Sequence, residues 1–155
     1  MTEVIEKAAD ANPEVMRRKV LDLEAALHAH AEGGVPLPEW VTNHYFHGGM
    51  YAREMHHPAG MVVVGKVHKK ESLFIVTSGT VQIVLDDGVQ TFSAPAILLT
   101  QPGAKRAVFS LEGATYMTVH RTNRKTVKGV EKEVVEVDPK AVYDTLNRPK
   151  MKELT

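Results

Sequence analysis

From Tyr51 to Val137 the chain is cut into short runs rich in Val, Ile, Leu, Phe and Thr, and most of them stop at Gly, Pro or Asp residues. No other feature constrains the fold as much. Runs this short, spaced this regularly, with turn residues between them, build antiparallel sandwiches or barrels. They read as strands at 51–55, 61–68, 73–76, 81–85, 89–92, 96–100, 107–110, 114–120 and 133–137. Asp86-Asp87-Gly88 is a hairpin turn signal, and Ser78-Gly79 and Gln101-Pro102-Gly103 read as further turns. No strand alternates with a helix, which argues against a parallel α/β sheet.

Before residue 40 the pattern is helical. Asn12-Pro13 is an N-cap followed by proline at the first helical position, and Gly33-Gly34 closes the far end. Between them Met16, Val20, Leu23, Leu27 and His30 form one stripe, while Arg17, Arg18, Asp22 and Glu24 are expected outward. The stripe packs on its own domain or forms a dimerising seam. Residues 2–10 read as a short preceding helix, and Val35-Pro36-Leu37-Pro38 as an extended linker. Three segments result: 1–40, helical with its linker; 41–138, the β-barrel; and 139–155, a polar tail in which 139–146 has room for two helical turns.

A chain of 155 residues is about one domain. Lys+Arg and Asp+Glu both number 19, so no overall basic surface points to nucleic acid. The basic stretch Arg121–Lys128, RTNRKTVK, lacks interleaved aromatics and reads as a solvated loop or strand edge. With no cysteine, thiolate metal sites and cysteine nucleophiles are excluded. No apolar run is long enough to cross a membrane as a helix, and the acidic start lacks a signal-peptide core, so a cytoplasmic location is expected. Phosphate-loop, dinucleotide and nucleophile-elbow motifs are missing.

One spacing stands out. Gly60 is followed after five residues by Lys66-Val67-His68, then by Ser72, then by Gly79. Pro102-Gly103-Ala104-Lys105-Arg106 follows. This stretch resembles the cupin family of small jelly-roll barrels. Their first motif sets a glycine, a His-x-His, a glutamate and a second glycine at those intervals; their second sets a histidine three residues after a Pro-Gly turn. The resemblance implies a mainly β fold: a single cupin-type jelly-roll β-barrel, here with an N-terminal helical segment. It also implies a metal held by three histidines and a carboxylate. Of those four ligands only His68 remains; Lys66, Ser72 and Arg106 stand at the other positions.

Lysine and arginine cannot take those roles, because arginine stays protonated and lysine would first have to lose its proton. No metal cofactor is therefore favoured. If Lys66, His68 and Arg106 point inward, they make a cationic site for a small anion, nucleotide- or carboxylate-like, with Ser72 beside it. Alternatively Lys66 and Arg106 pair internally with Glu54 or Glu71, and the pocket is filled. A divalent metal on His68, Glu71 and His120 is the remaining arrangement. It meets a phase problem, since neighbouring strand residues face opposite ways: with Ser72 inward, Glu71 points out. Which face of the strand ending at His120 is inside stays open. His44, His47, His56 and His57 read as surface or capping residues, with one ring of the His56-His57 pair turned in.

The pieces VHKKES, PGAKR and TVH resemble more narrowly a group of small cupin-like proteins found largely in tailed bacteriophages. In that group a histidine often stands at the Ser72 position; this chain departs there. The expected function is non-catalytic binding of a small anionic ligand. The alternatives are a metal-dependent dioxygenase or isomerase built on His68 and His120, and a virion-structural or host-factor-binding protein with a filled barrel. A homodimer or higher homo-oligomer is expected, with no membrane partner and no nucleic acid.

Overall fold

The structure is a computed structural model that describes residues 12–34 and 37–148. The expected helix at 2–10, the Val35-Pro36 half of the linker and the last residues of the tail lie outside the described residues. Helix α1 spans Pro13–Glu32, and the Asn12 side chain accepts a hydrogen bond from the Glu14 N–H at 2.8 Å. Met16, Val20 and Ala31 are buried, with Leu23 and Leu27 half-buried. His30, read as part of the stripe, is exposed, because the buried line runs slightly to one side of it.

Glu24, expected outward, is buried. The Lys105 Nζ explains this: it donates to Glu24 Oε1 at 2.9 Å, to the Gly65 carbonyl at 2.9 Å and to Asp138 Oδ2 at 3.3 Å. Burial raises the Glu24 carboxyl above its usual range even though Lys105 opposes the shift. One lysine thus fastens α1, the strand-to-strand loop and the chain at 138. Breaking such a point strands buried charge, so Lys105→Ala is expected to cost about 3–5 kcal/mol. Urea denaturation checks this, and a loss below about 1 kcal/mol contradicts it.

Among the described residues eight strands follow: β1 Val41–His47, β2 Met50–His57, β3 Met61–Val64, β4 Ser72–Leu85, β5 Gly88–Ser93, β6 Ala96–Thr100, β7 Ala107–Ser110 and β8 Ala114–Arg121. All pairings between them are antiparallel, in the order β1-β2-β8-β4-β7-β3, with β5 and β6 also on β4. β4 does what no two separate strands could. Its first part, Ser72–Val76, pairs with β6 and β8, and its second, Thr80–Leu85, pairs with β5 and β7. The sequence suggested a turn at Ser78-Gly79; instead the strand bends there and passes from one sheet to the other. The register shifts between Val76 and Ser78, and Gly79 has φ +75°. A Cβ at Gly79 would collide with the Gly113 carbonyl oxygen, so glycine is required at the bend.

Three expectations are corrected. First, residues 41–47, with His44 and His47 among them, form a strand ahead of the first expected one at 51–55; Gly48 and Gly49, at φ +56° and +76°, make a two-residue hairpin turn to β2. Second, 133–137 is not a strand. Helix α2 spans Val127–Val134, and Thr126 Oγ1 accepts from the Gly129 N–H at 3.1 Å. Val127, Val130, Glu131 and Val134 recur at helical spacing, and that period outweighed the β-branched cluster at its end. Third, 139–146 forms turns rather than helix, and Ala141, Val142 and Tyr143 are buried: Val142 and Tyr143 join Leu37 and Met61 in a small core. The main core lies between the sheets and includes Met55, Phe74, Val76, Val81, Ile83, Leu98, Val108 and Tyr116.

Candidate functional site

Strand alternation decides what faces inward. On β8, His120 and Tyr116 are buried while Met117 and Val119 are only half-buried, so the face carrying His120 is the interior one. On β2 the inward residues are Tyr51, Arg53, Met55 and His57. β3 ends at Val64, short of the expected 68, but the chain keeps its course along the loop after β6. The Gly65 N–H donates to the Arg106 carbonyl, and the His68 N–H to that of Ala104, both at 2.9 Å. Lys66, His68 and Arg106 are thereby brought to one cavity of about 130 Å³, with His120, Thr100, Arg53 and Glu131 in the same wall. Trp40, Met55, Phe74 and Tyr116 supply its apolar side.

Charge in the cavity is only partly neutralised. Glu131, on α2, accepts from Lys66 Nζ at 2.7 Å and from Arg53 Nη2 at 2.8 Å. Burial pushes its carboxyl up, but Arg53 and Lys66 more than offset this and hold it below the usual range. Arg53 also donates to the Tyr51 hydroxyl at 3.0 Å, which lies 2.6 Å from His44 Nδ1. Asp144 also lines the cavity, but it is held by Arg148 at 2.7 Å. Arg106 makes no ion pair with a carboxylate among the described residues; burial lowers its pKa, and Asp86, farther off, only partly opposes this. Its guanidinium donates to Thr100 Oγ1 at 2.8 Å and to the Leu99 carbonyl at 3.0 Å, and lies 5.9 Å from the Phe74 ring centre. Neither Glu54 nor Glu71 pairs with Lys66 or Arg106, which corrects that expectation. Glu54 instead bonds Asn43 and His56 on the other face of β2.

His68 and His120 stack with ring centres 6.1 Å apart and planes 11° from parallel. The Nδ1 of each is buried without a hydrogen-bond partner. Burial pulls His68 down to about 4, helped by Arg106 and Arg53; burial pulls His120 down to about 4, helped by His68 and Arg53. Both rings are therefore neutral at pH 7. Ser72 faces inward, in register with Thr100, and its buried Oγ has no partner, but it is not part of the cavity wall.

A divalent metal does not fit these residues. His68 and His120 come together, but Glu71 is exposed beside Lys69, Lys70 and Arg121 on a different surface. Among the described residues no three of His, Cys, Asp and Glu gather as a metal set. The other positions of the cupin ligand set hold two cations and an unpartnered hydroxyl, and cations repel a metal ion.

Arg53, Thr100 and Glu131 escaped the sequence reading. Arg53 shares the inward period of Tyr51, Met55 and His57. Glu131 stands on the apolar face of α2, and a carboxylate there signals a buried cation. His57 is buried and His56 exposed, as one-in, one-out spacing suggests.

No protein-family model and no curated protein matches this sequence. Solved structures do match the fold. A cupin 2 domain-containing protein from Halorhodospira halophila aligns at TM-score 0.50 and 13% identity, over 64% of this chain and 71% of that one. A cupin superfamily protein from Desulfitobacterium hafniense aligns at 0.49 and 10%, over 57% and 82%. A cupin-2 domain containing protein from Shewanella frigidimarina aligns at 0.46 and 16%, over 60% and 91%. Likeness at such identity is one of fold. The chain is mainly β, a cupin-type jelly roll carrying an N-terminal helix. Among the described residues no helix is long and apolar enough to cross a membrane.

Proposed function

We propose that this protein binds, without catalysis, a small carboxylate with a short apolar body inside its barrel. The observation that carries the reading is Arg106, a guanidinium in the cavity wall with neutral acceptors and no carboxylate of its own. An anion completes that partnership, and two neutral imidazoles beside it add polar contacts. Size selects between the two anion classes expected from the sequence. The cavity measures about 130 Å³, close to the ~150 Å³ space that admits a benzene ring. A single small ring or branched chain with one carboxylate suits it; a nucleotide is too large. Phe74, Tyr116 and Met55 receive the apolar part.

Calorimetric titration with benzoate, short branched monocarboxylates and nucleotides tests this. The monocarboxylates are expected to bind and the nucleotides not. Arg106→Ala should weaken binding about 10- to 150-fold, the range set by one charge-assisted hydrogen bond worth about 1.5–3 kcal/mol. Circular dichroism establishes that the variant is folded. Unchanged affinity in Arg106→Ala, or no carboxylate binding by the native chain, overturns the reading.

A further inference from the structure

We infer that the ligand of the barrel cavity is an oxo acid: its carboxylate meets Arg106, and a ketone oxygen on its apolar body accepts from His68 and His120. This rests on the carboxylate reading above and adds the second polar group which that reading leaves open. Most polar groups of the cavity wall are satisfied from within. Glu131 holds Lys66 at 2.7 Å and Arg53 at 2.8 Å, Thr100 accepts from Arg106, and Arg148 holds Asp144. The two imidazoles are the exception. They line the cavity with ring centres 6.1 Å apart and planes 11° from parallel, and no hydrogen bond reaches either ring among the described residues. His120 is only 4% exposed, so bulk water does not serve it. A buried polar group without a partner is costly, and two of them on one wall mark where a polar atom of the ligand belongs.

Which nitrogen faces the cavity decides what that atom is. The Nδ1 of each ring is shut in by protein. Both residues line the cavity, so Nε2 is the nitrogen that reaches it. Both rings are neutral at pH 7, and each therefore carries one N–H and one lone pair. An enclosed N–H without an acceptor is rarer than an enclosed lone pair without a donor. The proton accordingly sits on Nε2, and the two rings present two donors to the cavity.

Two neutral donors call for a neutral acceptor. A ketone oxygen has two lone pairs and no hydrogen of its own, so it satisfies both rings and asks for nothing back. A hydroxyl brings a hydrogen that also needs an acceptor, and both Glu131 oxygens are already bonded to Lys66 and Arg53. A second carboxylate would face Glu131, whose negative charge reaches both imidazoles. Of the two rings, His68 is the one that feels the Arg106 charge, so the pair begins beside the guanidinium and runs away from it. A short oxo acid spans the cavity of about 130 Å³ in that direction, with its alkyl part against Phe74 and Met55.

Calorimetric titration of the full chain at pH 7.5 compares each ketone with its parent acid: α-ketoisovalerate with isovalerate, and levulinate with valerate. At least one ketone is expected to bind roughly tenfold more tightly than its parent, the effect of one to two neutral hydrogen bonds. His120→Phe keeps a planar ring but removes the donor, and should bring that ratio close to one. His68→Phe should act in the same direction and serves if His120→Phe is poorly folded. Arg106→Ala should instead weaken ketone and parent alike. Nitrogen NMR of the native chain reads the imidazole protonation directly, and Nε2–H is expected on both rings. Equal affinity with and without the ketone overturns this inference and leaves the carboxylate reading standing. So does a ketone preference that survives both phenylalanine variants, a preference for α-hydroxyisovalerate or glutarate, or a proton found on Nδ1. No binding by any of these acids overturns both.

Discussion

Between pH 7.5 and pH 5.0 the folded state is expected to lose about 4–6 kcal/mol of stability, a large share of the roughly 5–15 kcal/mol that holds a domain folded. The cause is two buried histidines, His57 and His120, and a third, His68, that is half-buried with its Nδ1 enclosed. Burial alone holds His57 at about 4, and burial with nearby cations holds His68 and His120 there too. In the unfolded chain each imidazole takes its proton near pH 6.5. Between about 6.5 and 4 the unfolded chain therefore binds more protons, and falling pH favours it. Stability from this source is complete above pH 6.5 and disappears as pH drops through 4. Linkage gives about 2 kcal/mol per histidine at pH 5. His68 and His120 face each other as well as Arg53, Arg106 and Glu131, so their shares are not independent. Urea denaturation at fixed protein concentration checks the loss. A midpoint that stays flat from pH 7.5 to 5.0 contradicts it. His57→Phe should remove about a third of the slope, because His57 sits apart, against Trp40 and Tyr116.

The β architecture was readable because its determinants are local. Turn residues and period-2 runs place most of the strands, and β7 falls on residues 107–110 as read. What failed were features set by distant partners. Whether Ser78-Gly79 turns the chain or bends it depends on which strands lie alongside, and Gly113 decides that from 34 residues away. The segment 127–137 carries valines that suit a strand, and only packing over Tyr51 picks the helical period. Chain-end segments were undervalued for the same reason. Ala141, Val142 and Tyr143 look like a solvated tail until Trp40 and Met61 are placed opposite them.

Of the candidate site, the motif spacing brought out Lys66, His68 and Arg106, and all three do line one cavity. What spacing cannot supply is the counter-charge. Glu54 and Glu71 are close in sequence to the cations, but strand phase turns both away. Glu131 is 65 residues beyond Lys66, yet it holds both Lys66 and Arg53. The distinction matters for function. Two of the three cations, Lys66 and Arg53, are paired from within, whereas Arg106 has no carboxylate at ion-pair distance among the described residues, only Asp86 farther off favouring its charge.

Removing that counter-charge is expected to be as damaging as the loss of Lys105. Glu131→Ala strands Arg53 and Lys66, whose side chains are only 16% and 19% exposed, without an anion. The cost of leaving buried charges unpaired is about 3–5 kcal/mol. It also frees α2 from β2, so the helix that closes one wall of the cavity should exchange its amide protons faster than the sheet does. The remedy separates this account from a simple loss of packing. A buried ion cluster replaced whole by apolar residues of like volume is often neutral or stabilising. Arg53→Met and Lys66→Met, added to Glu131→Leu, should therefore restore most of what Glu131→Ala loses. The same triple variant should still bind carboxylates through Arg106, because its guanidinium is held by Thr100 and Leu99 rather than by the cluster. Recovery of stability with retained binding is the expected result of chemical denaturation and calorimetry on these variants. A Glu131→Ala loss below about 1 kcal/mol would mean that water already screens the cluster, and the cavity would then be too wet for Arg106 to select an apolar carboxylate.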